Sequence, residues 1–272
     1  MKHATARVKR FGRVQGVLAV SAALAAMHGC VVAPAPTPFC HEEFGSGAAG
    51  ENLARLHGVI DRAVEQYGKV REYRCTFEKR QRIGGRLQDA QRILLKFRKP
   101  MDVYMKWLSK QHEGQEMLYS PSRYGPRALA RAGGWQGMVT PVIPIDVDGY
   151  WVMRDNIHPI NHTGIGYFLE VFMKNARRAR EEKESDVIDR GTETVSRRRT
   201  RVLESVLPSD RAKGYYCYRC MVWFDEENGL PVKIQIYDWD NNLSEEYLYE
   251  KIELNPGFTD KDFDRQNSEY NF

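Results

Sequence analysis

The sequence predicts an α+β fold: a strongly curved antiparallel sheet, an open half-barrel of about eight to ten strands, with helices packed on its concave face. Three observations lead to this class. Beyond residue 70, apolar and polar residues alternate in segment after segment, as they do in half-buried strands. Turn residues separate these segments at near-regular intervals. Two amphipathic helical segments, one before the strands and one among them, can cover one face of the sheet.

The first helical segment covers residues 51–69. Its apolar residues recur every three or four positions and therefore share one face of a helix. They are Leu53, Leu56, Val59, Ile60, Val64 and Tyr67. The period then changes to two, and the alternation of Tyr73, Cys75 and Phe77 with polar residues begins a strand that runs to about residue 83.

A long hairpin and two further strands follow. Gly84-Gly85 predicts a tight turn, and the return strand covers about residues 87–98 before Pro100 ends it. The next strands cover about 103–107 and 114–120. Residues 124–134 are predicted to be irregular, and 135–147 contain two prolines and form at best an edge strand.

The second helical segment covers residues 163–184, with Thr163 as its cap. Its first half carries the apolar positions Ile165, Phe168, Leu169, Phe172 and Met173, and its second half is charged. Only the first half can therefore be buried. The last strands are expected at about 187–196, 199–207, 214–224, 231–239 and 243–254.

The N-terminal segment has the pattern of an export signal. Residues 1–29 carry five basic residues and no acidic one, and the apolar run 16–27 is 12 residues long. That length suits a signal peptide and is short of the ~20 residues of a membrane-spanning helix. A buried amphipathic helix is the alternative. The sequence thus predicts an exported, periplasmic protein.

Residues 26–30, Ala-Met-His-Gly-Cys, resemble a bacterial lipobox, which predicts lipidation at Cys30; ordinary cleavage nearby is the alternative. Acyl chains on Cys30 would anchor the protein to a membrane. Residues 30–50 are rich in Pro, Gly and Ala and are expected to form a flexible tether. The predicted organisation is a signal peptide (1–29), a tether (30–50) and one domain (51–272).

The charge distribution disfavours a polyanionic partner. The net charge is +5, but beyond residue 29 the chain has as many acidic as basic residues, 36 of each. The chain beyond the predicted export signal is therefore formally neutral, and we expect no nucleic-acid binding. A mean hydropathy of −0.58 excludes a protein with many membrane spans.

The four cysteines after Cys30 leave two interpretations open. Cys40, Cys75, Cys217 and Cys220 form structural disulfides, in a pairing that the sequence does not reveal, or remain free and buried. Cys217 and Cys220 have CxxC spacing, but their aromatic neighbours predict a strand, on which the two thiols point to opposite faces. We therefore expect neither redox activity nor metal binding at this pair.

The sequence contains no recognisable catalytic motif: GxSxG, HExxH, the P-loop and GxGxxG are all missing. We expect no catalytic residue, no metal ion and no cofactor. His158 and His162 lie four residues apart, but Pro159 between them indicates a loop rather than a metal-binding helix. Residues 156–160 are expected to shape the rim or hinge of a cavity.

Five stretches carry a resemblance to a known family: Leu95-Lys-Phe-Arg-Lys-Pro100, Val103-Tyr-Met-Lys-Trp-Leu108, Gly114-Gln-Glu-Met-Leu-Tyr119, Asn156-Ile-His-Pro-Ile160 and Gly164-Ile-Gly166. Over about residues 51–270 the chain resembles the bacterial lipoprotein-carrier superfamily of LolA and LolB. More specifically, it is similar to a bacterial domain-of-unknown-function family near them. The resemblance implies a half-barrel closed by helices over an apolar cavity, in which the carriers hold acyl chains. The closer family brings no assigned activity.

The expected function is a non-enzymatic cell-envelope protein, carrier-like, that binds a hydrophobic ligand, an acyl chain or a lipidated partner. The residues expected to bind the ligand are Phe77, Ile93, Leu95, Phe97, Val103, Met105, Trp107, Phe168 and Phe172. The alternative is a structural or interaction protein of the envelope whose core is filled. An apolar void under the helices would favour binding, and close packing would favour the alternative.

Overall fold

The computed structural model describes residues 46–272. The predicted signal peptide, lipidation at Cys30 and residue Cys40 lie outside the described residues. Helix α1 begins at Ser46, before the position expected from the sequence. Among the described residues, no helix is both long and apolar enough to cross a membrane.

The described chain contains five α-helices and twelve strands. The helices are α1 (Ser46–Lys69), α2 (Pro121–Tyr124), α3 (Gly134–Val139), α4 (Tyr150–Met153) and α5 (Ile165–Glu181). The strands are β1 (Glu72–Ile83), β2 (Arg86–Leu87), β3 (Gln91–Arg98), β4 (Asp102–Trp107), β5 (Glu116–Tyr119), β6 (Arg127–Arg131), β7 (Ile143–Asp146), β8 (Asp186–Val195), β9 (Arg198–Val206), β10 (Arg219–Asp225), β11 (Pro231–Tyr237) and β12 (Leu243–Leu254).

The strands form one antiparallel sheet in the order β7-β6-β5-β4-β3-β1-β12-β11-β10-β9-β8, and β2 pairs with β1. The sheet is curved and does not close into a barrel, because β7 and β8 remain as edges. This confirms the predicted α+β class, an open curved antiparallel sheet with helices. The sheet has twelve strands rather than eight to ten, since the return strand of the first hairpin is split into β2 and β3 and the chain adds β6.

Strand β6 corrects the expectation that residues 124–134 are irregular. Arg127–Arg131 pairs with β5 on one side and with β7 on the other. Ala128 and Leu129 are both buried, so each side of this short strand packs against an apolar cluster. The Gly- and Arg-rich composition of residues 124–134 does not show the pattern of a strand, so the sequence did not predict β6. The expected edge strand within 135–147 is β7, and helix α3 precedes it.

The concave face is built from apolar rows that cross β1, β3 and β4. In one row Phe77 pairs with Ile93 and Ile93 with Trp107; in the next, Cys75 pairs with Leu95 and Leu95 with Met105. All six side chains are buried. The alternation read from the sequence therefore corresponds to one continuous apolar surface.

Helix α5 covers this surface. Its buried residues Ile165, Leu169 and Phe172 recur at helical spacing and face the sheet. The helix begins after Gly164 rather than at a Thr163 cap, and it ends at Glu181, where the sequence has become charged. The Ile165 amide donates a hydrogen bond of 3.2 Å to the hydroxyl of Tyr73 on β1, which ties the helix start to the sheet.

The opposite face of the sheet is covered by the C-terminal segment. Phe263 and Tyr270 pack against Tyr104, Leu118 and Leu129, and the rings of Tyr104 and Tyr270 stack with centroids 3.8 Å apart. The carboxylate of Glu72 on β1 accepts hydrogen bonds from two backbone amides of this segment, at Gly257 and Phe258. The C-terminal segment thus completes the fold on the side away from α5.

Gly164 provides a test of how α5 is attached. Its φ of +108° disfavours other residues, and an added Cβ would lie 2.6 Å from the Tyr73 hydroxyl oxygen. We expect Gly164→Ala to lower the free energy of unfolding by about 3 kcal/mol, since backbone strain and overpacking add. Gly84→Ala is the matched control, because Gly84 also has positive φ (+57°) but nothing within 4 Å of its Cβ position. Equal losses in urea unfolding would contradict this account.

Candidate functional site

A cavity of about 190 Å³ lies between the concave face, α5 and the loop that precedes α5. Roughly 10–15 Å³ by the same kind of measure suffices for one water molecule, so the space is far larger than a packing defect. Its wall is mostly apolar. The void that distinguishes a binding protein from a filled scaffold is therefore present under the helix.

The structure brings six of the nine predicted ligand-binding residues to this cavity. They are Phe77, Ile93, Met105 and Trp107 from the sheet and Phe168 and Phe172 from α5. The other three, Leu95, Phe97 and Val103, are buried in the core and do not line the cavity. Phe97 stacks on Tyr73 with centroids 5.1 Å apart and lines a separate pocket at the start of α5. That any of the nine binds a ligand remains a prediction.

Sequence reasoning missed the cavity residues contributed by the strands other than β1, β3 and β4 and by the segments around α4 and before β10. Apolar examples are Met117, Ile145, Val152, Cys217, Cys220, Ile236 and Tyr249. Their alternation within β5, β10, β11 and β12 was the available signal. Alternation shows which residues share a face of one strand, but it does not show which strands meet under α5.

A buried carboxylate forms the polar part of the cavity wall. Glu245 on β12 is 3% exposed and lies 2.8 Å, through Oε2, from Nε2 of His158. The hydroxyls of Tyr216 and Tyr247 both donate hydrogen bonds to the Glu245 carboxylate. Gln81 on β1 in turn donates a 2.8 Å hydrogen bond to the Tyr247 hydroxyl oxygen. These five side chains, from four separate parts of the chain, form the Glu245 cluster.

Hydrogen bonding outweighs burial at Glu245. Burial alone would raise the pKa of this carboxyl group, but the hydrogen bond and charge of His158 and the two tyrosine hydroxyls hold the pKa below its ordinary value of 4.5. Burial and the Glu245 charge raise the pKa of Tyr216 and of Tyr247 well above the ordinary value of 10.0, so both remain donors. The cluster is therefore a satisfied, anionic network.

Lys79 is the cationic group of the cavity wall. It lies on β1 between Phe77 and Gln81, and its Nζ donates a hydrogen bond to the side-chain oxygen of Asn156. Burial lowers the pKa of Lys79 to about 8, and the charge of Asp155 opposes this shift only in part. A half-buried ammonium group thus lies in the wall of a mostly apolar cavity.

The two cysteines of the CxxC pair both line the cavity and are free and buried. The expectation that they point to opposite faces of a strand is wrong, because β10 begins only at Arg219 and Cys217 precedes it. Burial raises the pKa of Cys217 to about 12, and the charge of Glu245 adds to the rise. Cys75 is also free and buried. The thiols of Cys75, Cys217 and Cys220 are therefore protonated and unreactive at neutral pH.

His158 and His162 do not converge on a metal site. Within residues 46–272 no group of three His, Cys, Asp or Glu side chains is arranged to hold a metal ion. His162 stacks on Tyr167 with centroids 4.1 Å apart, while His158 belongs to the Glu245 cluster. His158 lines the cavity, at the position where the sequence predicts a rim or hinge.

The cavity reaches the surface beside α4. Trp151 lines the cavity and is nevertheless 68% exposed, and its neighbour Tyr150 is 71% exposed. Trp135, Val139 and Ile143 add further exposed apolar area in α3 and β7. This rim is the part of the wall that a ligand could pass without unfolding the sheet.

The chain belongs to the DUF1571 family, described as proteins of unknown function, whose family model matches residues 70–272. Among curated proteins, none matches the chain in sequence. The expected placement in a domain-of-unknown-function family is thereby confirmed.

Several solved structures have a similar fold. The lipoprotein LppX of Mycobacterium tuberculosis is 10% identical, with 76% of this chain and 98% of that chain covered and a TM-score of 0.45. A LolA superfamily protein of Nitrosomonas europaea is 13% identical, with 77% and 97% covered and a TM-score of 0.34. MucB, in the MucA/MucB complex of Pseudomonas aeruginosa, is 13% identical, with 77% and 60% covered and a TM-score of 0.43, so this chain spans about 60% of its length.

The Glu245 cluster predicts an acid limb, that is, a decline in the free energy of unfolding at low pH that depends on this carboxyl group. A carboxyl group whose pKa is lowered by folding stabilises the protein above its ordinary pKa of 4.5, and this contribution is lost as pH falls through the lowered value. Glu245→Gln should reduce the free energy of unfolding at pH 7 by about 2 kcal/mol and flatten its decline below pH 4.5. Urea unfolding between pH 3 and 7 measures both effects.

Glu253→Gln is the control for this change, because Glu253 lies on the same strand but is half exposed in a surface pair with Arg74. Such a pair contributes about 0–1 kcal/mol. If both variants lost stability equally and kept the acid limb of the parent protein, the Glu245 cluster would not be the network described here.

Proposed function

We propose that this protein is a non-enzymatic, carrier-like protein of the cell envelope that binds the acyl chain of a lipid or of a lipidated protein. The observation that carries the proposal is the cavity of about 190 Å³ between α5 and the concave face. Its wall combines aromatic and aliphatic side chains from both layers. A space of this kind suits an apolar chain better than a polar metabolite.

The energetics favour such a ligand. Transfer of one CH₂ group from water into an apolar site stabilises the complex by about 0.8 kcal/mol, so six groups contribute about 5 kcal/mol before the costs of association. Met105 and Met117 lie on the wall, and unbranched thioether side chains adapt to chains of different shape. The exposed rim at Trp151 supplies an entry.

The proposed location rests on the sequence pattern at the N-terminus. Residues 1–29 direct export, the segment from residue 30 to the start of α1 at Ser46 acts as a tether, and the domain that follows lies in the periplasm, held at a membrane by a lipidated Cys30. Its partners would be a lipid or a lipidated protein, with no nucleic acid. These assignments agree with the small formal charge of the domain, +2 from 36 basic and 34 acidic residues in 51–272, which offers little general attraction to polyanions.

Lipidation predicts a labelling result. Cells that express the full chain and grow with radiolabelled palmitate should incorporate label into the parent protein and lose it in Cys30→Ser. Cys40→Ser is the control, since Cys40 follows ten residues later in the tether. Unchanged labelling of Cys30→Ser would contradict the anchor without affecting the proposed cavity.

Filling the cavity tests ligand binding. Ala176 on α5 lines the cavity, and Ala176→Trp would place an indole ring in the space a chain would occupy. We expect at least tenfold weaker uptake of a fluorescent fatty acid by the purified full-length protein, with native mass spectrometry as a second readout of bound lipid.

Lys174→Trp, an exposed position on the same helix, should leave uptake within about twofold of the parent protein. Circular dichroism should show that both variants are folded. Parent protein that takes up no fatty acid and carries no extractable lipid would contradict the proposed function and favour a scaffold with an unused void.

A further inference from the structure

The wall of the cavity changes from apolar to polar along a single strand. On β1 the residues that face the cavity are Phe77, Lys79 and Gln81 in succession, and the neighbouring positions on β12 are Tyr249, Tyr247 and Glu245. The aromatic pair Phe77 and Tyr249 thus adjoins the apolar body of the cavity, while Lys79 and the Glu245 cluster form its polar end. A cavity divided in this way fits an amphiphile rather than a plain hydrocarbon.

Lys79 lacks a carboxylate partner among residues 46–272. Its hydrogen-bond acceptor is the neutral amide of Asn156. The acidic side chains nearby are already engaged: Asp155 pairs with Arg154 at 2.9 Å, and Glu245 pairs with His158 at 2.8 Å. An ammonium group withdrawn from water without a counter-ion is unfavourable, and an anion supplied by a ligand would remove that penalty.

Lys79 is also the cationic group of the wall with donors to spare. Gln81 donates to Tyr247, the Trp107 indole donates to Gln91, and the Asn156 amide donates to the Val152 carbonyl oxygen. An ammonium group has three donors, and Asn156 accepts one of them. The remaining two can bind one small anionic acceptor such as a carboxylate.

We propose that Lys79 is the head-group subsite for the carboxylate of a single-chain fatty acid, whose hydrocarbon chain lies against Phe77, Met105 and Phe172. This inference rests on the proposed function and names its ligand class. The cavity volume of about 190 Å³ suits one chain, and the two free donors of Lys79 suit one carboxylate.

The experiment compares ligands that share one chain and differ in the head group. Decanoate, decanol and decyltrimethylammonium are titrated calorimetrically into the purified full-length protein at pH 7. We expect decanoate to bind about tenfold more tightly than decanol, as a charge-assisted hydrogen bond allows, and the cationic ligand to bind most weakly.

Lys79→Met should bind decanol as the parent protein does and lose the tenfold preference for decanoate. Retained decanol binding shows that this variant is folded and that its cavity is intact. Lys174→Met, at an exposed position of α5, is the matched control and should keep the preference.

The pH dependence gives an independent readout. The charged or titratable groups around Lys79 are Asp155, His112 and the Glu245 cluster. Burial lowers the pKa of His112, the hydrogen bonds of the cluster lower the pKa of Glu245, and burial raises the pKa of Tyr216 and of Tyr247. Because the pKa of Lys79 is about 8, decanoate affinity should fall across this interval in the parent protein but stay constant in Lys79→Met.

Two results would overturn the inference, and they differ in scope. If decanol and decanoate bound equally, or if Lys79→Met kept the preference for decanoate, the head-group subsite would be wrong while the binding of apolar chains would stand. If none of the three ligands bound the parent protein, the proposed function would fail together with the subsite.

Discussion

The structure depends on one constraint. The apolar concave face of an open sheet must be shielded from water, and the helix that covers it does not fill the space between them. Eleven strands in one path present a wide curved surface, and α5 has three large apolar residues of its first turns buried against it, Ile165, Leu169 and Phe172. These residues cover part of the surface, and the cavity of about 190 Å³ lies beside them. The start of α5 is held by Gly164 and by the hydrogen bond between Ile165 and Tyr73, so the helix cannot move inward to close the space.

The polar groups belong to the wall of the same cavity. The Glu245 cluster and Lys79 lie at one end of the cavity wall, on β1, β12 and the segments beside them. Glu245 is compensated within the protein by His158 and two tyrosines. The hydrogen-bond acceptor of Lys79 is a neutral amide, and the charge of Asp155 opposes the effect of burial only in part. Glu245 therefore needs no charge from a ligand, whereas Lys79 would be stabilised by an anionic one. This difference is why we propose a fatty acid rather than an uncharged apolar ligand.

The sequence predicted the fold class because period-two alternation depends on local burial alone. It also predicted that Ile93, Met105 and Trp107 share a surface, and the β3–β4 register bears this out. It failed where short elements are decided by tertiary contacts. Strand β6 forms from a Gly- and Arg-rich stretch because β5 and β7 pair with it, and Cys217 lies on the same side as Cys220 because β10 starts late. The Glu245 cluster joins residues 81, 158, 216, 245 and 247, and no local pattern brings such distant positions together.

The most direct test of the account is to locate a bound chain. Crystals of the protein grown with decanoate that carries bromine on its terminal carbon would reveal the bromine by anomalous scattering. We expect one bromine site within the cavity, beside Met105 and Phe172, with the carboxylate toward Lys79. An empty cavity at saturating ligand, or bromine found only on the outer surface of the sheet, would contradict it.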